Sequence, residues 1–338
     1  MPLYGGIDLH ANNSVVAVLN EQDQVLYQQR LDKHLPTILE QLTPYRGDLA
    51  GVVVESTYNW YWLVDGLMEA GYRVHLANPA AIQQYSGLKY TNDQSDARWL
   101  AHLLRLGVLP EGYIYPKAER AVRDVLRKRS HLVRQQTANI LSVQNILMRH
   151  TGVRFSVQRM HALSPAELTR LLPEAEHVLA VRSGLAVLHT LADEITTLEK
   201  TVSKHVKHTP AYQHLLTVDG SGPILAQTII LETGDIARFA TVGHYASYCR
   251  CVQSISISNG KRKGQGNVKK GHKYLGWAYM EAAQFAIRDN ARVQKFYQRK
   301  QVKTHVMVAR KAIAHQLARA GFYIMRDLVP FEAQKAFG

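Results

Sequence analysis

Four carboxylates and one serine-rich, basic stretch carry the chemistry open to this chain. Asp93 and Asp96 stand three residues apart in Thr91-Asn92-Asp93-Gln94-Ser95-Asp96-Ala97-Arg98, where a helical apolar pattern begins at Ala97, Leu100, Leu103 and Leu104. Residues i and i+3 share a helix face, so both acids leave the first turn on one side. Two carboxylates that close repel, and keeping both ionised takes a cation. Taken alone, the pair also reads as an N-cap aspartate followed by an acid favoured at a helix N-terminus. Asp8 falls at the end of the apolar run 3–9, and Glu55 directly follows the apolar run 49–54. Carboxylate oxygens suit a hard divalent cation. Two such ions, roughly 3.5–4 Å apart, can clamp the attacking and leaving oxygens of a phosphodiester displacement.

The second candidate is the run SISISNGKRKGQGNVKKGHK at 254–273, which holds Lys261, Arg262, Lys263, Lys269, Lys270 and Lys273 among four glycines. So polar a run is not core; it reads as a flexible basic loop that grips nucleic-acid phosphates. A serine there becomes a nucleophile only when activated, by a metal site or by neighbouring cations. On chemistry alone Ser254, Ser256 and Ser258 stand level.

The elements that must position these groups follow from periodicity. Strands are expected at 3–9, 14–19, 25–31, 49–54 and 72–77, with helices at 35–42, 59–70 and 93–106. Three strands followed by alternating strand and helix predict an α/β unit, a mixed sheet with helices on its faces. Open sheets of this kind build sites at strand ends. Residues 1–113 hold 7 Lys and Arg against 12 Asp and Glu, a balance of −5, whereas the remainder holds 34 against 15, or +19. The basic remainder predicts a polyanion partner.

After a short linker at 114–116, residues 118–150 lack Gly and Pro and repeat apolar residues at helical spacing. A helix at 165–172 follows, then one at 175–208 with Leu185, Leu188, Leu191, Ile195 and Leu198 on a seam, together a helical hairpin or coiled coil. Arg120, Arg123, Arg127, Lys128, Arg129 and Arg134 crowd the first of these helices and are expected to meet phosphates. Gly220-x-Gly222 ahead of an apolar helix is either a phosphate-gripping helix start or a simple turn. Residues 292–303 interleave Phe296 and Tyr297 with basic residues, a mix suited to phosphate and base contacts. The 16 histidines form no H-x-x-x-H flanked by further ligands, so no transition-metal site is expected. Cys249 and Cys251 read as buried free thiols. No apolar run approaches a membrane span, and no signal peptide is apparent.

Read together, Gly6-Ile7-Asp8, Val54-Glu55-Ser56-Thr57-Tyr58, Ala77-Asn78-Pro79, Asp93-Gln94-Ser95-Asp96-Ala97, Ile257-Ser258-Asn259-Gly260-Lys261-Arg262 and Lys270-Gly271-His272-Lys273-Tyr274-Leu275 resemble the DEDD-type insertion-sequence transposases. That family includes bridge-RNA-guided recombinases and Piv-type invertases. The resemblance implies a ribonuclease H-like (RuvC-like) catalytic domain at 1–113, a helical coiled-coil segment at 114–206 and a mainly helical C-terminal transposase domain at 207–338. It implies that Asp8, Glu55, Asp93 and Asp96 hold Mg2+, two ions per site with Mn2+ able to substitute, and that Ser258 attacks DNA to give a covalent serine–DNA intermediate. It further implies donor and target DNA and a structured bridge RNA as partners, dimers assembling to a tetramer, and a cytoplasmic, nucleoid-associated setting. The competing reading is a hydrolytic, RuvC-like junction nuclease that uses water as nucleophile. A third is a non-catalytic RNA-binding protein.

Overall fold

Runs of Val, Ile and Leu buried on both faces build the first sheet, as expected of strands sandwiched between helices. The computed structural model describes residues 1–56, 59–82, 93–252, 255–265 and 270–338, with the side chains of 93, 94, 255–257, 262 and 265 outside the described set. The chain divides into two units, Met1–Lys117 and Ala118–Gly338.

In the first unit β1 (Leu3–Leu9), β2 (Asn13–Leu19) and β3 (Val25–Asp32) form an antiparallel meander. After α1 (Leu35–Leu42), β4 (Leu49–Glu55) pairs parallel to β1; after α2 (Tyr61–Glu69), β5 (Val74–Ala77) pairs parallel to β4. The order is β3-β2-β1-β4-β5. Ile7, Val16, Val18, Val52 and Val54 face one side and bury against Ile38, Leu42, Leu63, Val64 and Leu67 of α1 and α2. The alternate residues Val15, Ala17 and Val53 face the other side, where Ala97 and Leu100 of α3 (Asp93–Arg105) cover them. The expected mixed sheet is present, each element within two residues of its predicted ends.

α3 lies unusually close to the sheet. A Cβ on Gly6 would sit 2.1 Å from the Ala97 carbonyl oxygen and 2.8 Å from the Ala101 nitrogen, so only glycine fits at this crossing. The far end of α3 is tied down by Arg105, which donates to both Asp23 oxygens at 2.8 and 2.6 Å, and by His102 at 2.8 Å from the same carboxylate.

The second unit opens with an antiparallel helical hairpin, α4 (Lys117–Thr151) against a helix 32 residues long at Ala175–Val206. Gly184 of that helix faces Val143 so closely that an added Cβ would lie 2.5 Å from its Cγ2, and Arg129 pairs with Glu199 at 2.7 Å. Between the two, α5 (Val157–His161) and α6 (Pro165–Leu171) supply Met160 and Leu168 to a core with Val143, Leu147, Val181, Leu185 and Leu188. The long returning helix is α7. Leu141 of α4 is half exposed.

The rest is helical: α8 (Pro210–Leu215), α9 (Pro223–Thr233), α10 (Val242–Tyr248), α11 (Lys273–Asp289), α12 (Ala291–Gln301), α13 (Val306–Asp327) and α14 (Ala333–Phe337). Its core centres on Tyr245, Tyr279, Ile313, Leu317 and Phe322, and takes in Leu126, Val202 and Val206 from the long helices. Cys249 and Cys251 are free and buried, as expected. Among the described residues no helix is long and apolar enough to cross a membrane.

Two expectations are corrected. The basic stretch is not a featureless loop: β6 (Ile255–Ser258) and β7 (Lys261–Gln265) form a hairpin. Its two-residue turn, Asn259-Gly260, has both φ angles positive at 50° and 69°, the primed turn whose twist matches the strands. Gly220 packs tightly as well: at φ 85° its Cα approaches α11 until a Cβ would lie 2.5 Å from the Ala282 oxygen. Phe296 stacks edge-on against Phe337 at 5.4 Å and, with Tyr297, packs on the core, so neither is displayed for base stacking.

Replacing Gly6 with alanine tests the crossing. G6A should cost about 1–3 kcal/mol of stability by forcing α3 outward. Urea unfolding of the purified chain reads it, and an unchanged midpoint would show that the helix can move aside freely.

Candidate active site

Parallel pairing sets the first two acids side by side. Ile7 is in register with Val54, so the next residues, Asp8 and Glu55, arrive together at the C-terminal ends of β1 and β4. Asp8 is buried at 2% exposure, and its side chain hydrogen-bonds that of Glu55. Asp96 stands on the first turn of α3, fixed there by the Ala97 contact with Gly6, and its charge also reaches Glu55. Burial first, then the hydrogen bond to Asp8, then the fields of Asp8 and Asp96, push the Glu55 carboxyl up to about 7. A cleft of about 290 Å³, lined by Glu55, Pro79, Ile82, Asp96, Trp99 and Leu100, opens beside the acids. Asp93 begins α3 one turn before Asp96, but its side chain lies outside the described residues. His10, which sequence reasoning passed over, places Nε2 3.0 Å from Asp8 Oδ2.

The predicted nucleophile lies in the second unit. Ser258 ends β6, exposed, paired across the turn with Lys261. Ser256 is two residues back on the same strand, with its side chain outside the described set; Ser254 lies outside the described residues altogether. The base of the hairpin is pinned. Arg250 Nε donates to the Gly271 oxygen at 2.9 Å and the His272 amide donates to the Tyr248 oxygen at 2.6 Å. Gly271, at φ 92°, has no room for a side chain, because a Cβ would meet that same Tyr248 oxygen at 2.6 Å.

The sequence is similar to those of known proteins. A family model for DEDD transposases of the IS110 type, described as "Transposase", matches residues 5–151. A second, described as "Transposase IS116/IS110/IS902 family", matches residues 212–298. The "Probable family 20 transposase" of Pseudomonas aeruginosa is 25% identical over 295 residues, covering 84% of this chain and 83% of that protein. The "Transposase for insertion sequence element IS1328" of Yersinia enterocolitica is 22% identical over 334 residues, 94% of this chain and 95% of its own. The chain belongs to the IS110/IS116 family of transposases. A third model, for the type VI secretion protein VipA, matches 118–218 and overlaps both transposase models; that stretch is chiefly the helical hairpin, whose apolar spacing is common to unrelated long helices.

Membership makes this a DNA-cleaving and DNA-joining enzyme that uses divalent metal. The acids of this transposase fit such an ion. Two hydrogen-bonded carboxyls must share a proton when no cation is near, and a divalent ion replaces that proton. Every donor is a carboxylate oxygen, the choice of a hard cation.

The basic residues of α4 require correction. Arg120 and Arg123 are buried, so neither is offered to phosphate. Arg127 forks the Glu232 carboxylate at 2.7 and 2.6 Å. Glu232 is fully buried on the apolar helix α9, where an unpaired charge would be costly, so Arg127 is held to the fold. His272 Nε2 completes the cluster 3.3 Å from Glu232 Oε2. Burial, then Arg127, Arg123, Arg238 and Arg250, push His272 down to about 3, so it is neutral. A lone acid in PILAQTIILET was the signal available in the sequence. Lys128, Lys261, Lys263, Lys270 and Lys273 remain exposed; the Arg262 side chain and Lys269 lie outside the described residues.

A raised carboxyl has a pH signature. Folded Glu55 keeps its proton to about 7 whereas the unfolded side chain loses it near 4.5, so stability present below 4.5 drains away as pH rises to 7. In EDTA-treated protein, Glu55→Gln should therefore raise the melting temperature at pH 8, with the gain shrinking toward pH 5. A gain independent of pH would show that Glu55 does not carry this proton.

Proposed function

We propose that this transposase cuts and rejoins DNA by serine chemistry assisted by divalent ions, with Asp8, Glu55, Asp93 and Asp96 as the ion-holding acids. The observation that carries the reading is the meeting of Asp8, Glu55 and Asp96 beside an open cleft, together with the match of residues 5–151 to the DEDD transposase model. Magnesium, two ions per site, would supply charge neutralisation at the scissile phosphate.

Ser258 is the proposed nucleophile. Its Oγ bonds to phosphorus as the strand's 3′ oxygen leaves, which gives a phosphoserine ester and a free 3′ hydroxyl. Rejoining reverses the step: a 3′ hydroxyl from another strand attacks that phosphorus and the serine oxygen departs. One ester replaces another each time, so no external energy source is consumed. Exposure at the tip of a pinned hairpin supports Ser258, since a nucleophile needs both access and a fixed base. The neighbouring Lys261 and Lys263 attract phosphate to the hydroxyl.

The reading extends to partners. A structured bridge RNA, pairing with donor and target DNA, would give sequence choice to a protein whose exposed cations read only backbone. Self-assembly is supported by exposed apolar residues on the hairpin: Leu141 and Met148 on α4, seven residues apart, and Leu179 and Val187 on α7.

Two measurements test the proposal. Incubated with element-end DNA, guide RNA and Mg2+, the wild-type chain should give a protein–DNA adduct that survives denaturant, and Ser258→Ala should give none while still binding DNA. Cleavage without an adduct, insensitive to S258A, would instead support the hydrolytic nuclease. Lys261→Ala with Lys263→Ala should lower log K against log salt by roughly 0.9 per lost phosphate contact on duplex DNA. An unchanged salt slope would remove the hairpin from the DNA interface.

A further inference from the structure

The hairpin register brings together two histidines that the sequence keeps 27 residues apart. Val143 faces Gly184 and Arg129 faces Glu199, so the last turn of α4 lies level with the first turn of α7. There the His150 and His177 rings approach to 3.9 Å between centroids, tilted by 41°. Glu174, the N-cap of α7, reaches the same point with Oε2 3.3 Å from His177 Nδ1. One ligand atom from each of His150, Glu174 and His177 lies within 4.8 Å of the other two. Among the described residues this is the group of histidines, cysteines and acids that converges so tightly.

We propose that His150, Glu174 and His177 form a binding site for a borderline divalent transition ion such as Zn2+, distinct from the acids of the first unit. Three observations support it. Two imidazole nitrogens and one carboxylate oxygen are donors that zinc takes readily. Two ligands about 2.1 Å from a tetrahedral ion stand roughly 3.4 Å apart. The Glu174–His177 pair already has that separation, at 3.3 Å. Glu174-x-x-His177 also spans i to i+3 at a helix start, which directs both side chains to one face, toward the third ligand.

All three residues are at least partly exposed, so an ion can enter from solvent and a water can complete its shell. The bound ion clips the end of α4 to the start of α7 across the segment that carries α5 and α6. Sequence reasoning missed the site because it looked for paired histidines on one helix, whereas here the ligands come from two. The hard magnesium ion prefers oxygen and would not compete effectively for two imidazoles.

The test uses the full chain, stripped with chelator and dialysed into excess Mg2+ so that the carboxylates of the first unit are occupied. Zinc chloride is titrated by calorimetry, and cobalt chloride is followed by visible absorption. Wild type should bind one more zinc ion per chain than His150→Ala/His177→Ala, with the cobalt spectrum of a tetrahedral or five-coordinate nitrogen site. Glu174→Gln should weaken the ion tenfold or more. Zinc should raise the melting temperature of wild type and not of the double variant, whose circular dichroism confirms that it folds. Identical stoichiometry and affinity in the two proteins, or no zinc binding by wild type, would overturn the proposal.

Discussion

A helix backbone resting on a strand backbone is the constraint on which the acidic site depends. Gly6 removes the one side chain that would hold α3 off the sheet, and Ala97 and Ala101 keep the helix side of the crossing thin. Asp96, one residue before Ala97, is thereby fixed near the ends of β1 and β4. The parallel register brings Asp8 and Glu55 to the same level, but register alone could not reach an acid some forty residues later in the chain. The contact at Gly6 does so, and the Asp23 clamp on Arg105 and His102 stops the far end of α3 from swinging. Three acids that repel one another are held together by apolar packing and one distant ion pair.

The second unit uses the opposite device. Its core buries one carboxylate, Glu232, and surrounds it with Arg127 and the neutral His272. Removing any partner would strand a charge in an apolar helix, so the cluster ties three segments together: α4, α9 and the entry to α11. Because that entry, Gly271-His272, is also one root of the β6–β7 hairpin, the charge that stabilises the core fixes where the hairpin leaves it. Ser258 is exposed, yet the hairpin that carries it leaves the core from backbone held by the Arg250–Gly271 and His272–Tyr248 hydrogen bonds.

Much of the first unit was legible because its signals are local. Strand alternation, strand-end acids and the i, i+3 aspartates are visible within windows of about ten residues, and the observed elements match them. The second unit was read less well wherever charge was taken as exposure. Arg120, Arg123 and Arg127 look like a phosphate-binding face in sequence, but burial and a remote carboxylate 105 residues away decide their role. Phe296 failed in the same way, since its partner Phe337 is forty-one residues on. The hairpin was a different miss. Ser-Ile-Ser-Ile-Ser followed by Asn-Gly is a strong local turn signal, and it was masked by reading the lysines before the alternation. The His150–Glu174–His177 group had no local signal beyond Glu-x-x-His, because its third ligand depends on helix pairing.

The acid cluster also bears on how such an enzyme stays quiet between reactions. With Glu55 held up to about 7 by burial and by its acidic neighbours, the metal-free site near neutrality is only partly charged. If these acids hold the divalent ion as proposed, ion binding and loss of the Glu55 proton would be one coupled event. Raising pH and raising metal concentration then act on the same equilibrium and are interchangeable over the range in which Glu55 titrates. A site of exposed, independent carboxylates would show no such exchange, because its acids would already be ionised well below neutral pH. The burial that makes Glu55 costly to ionise is the same burial that makes a bound cation worth holding there.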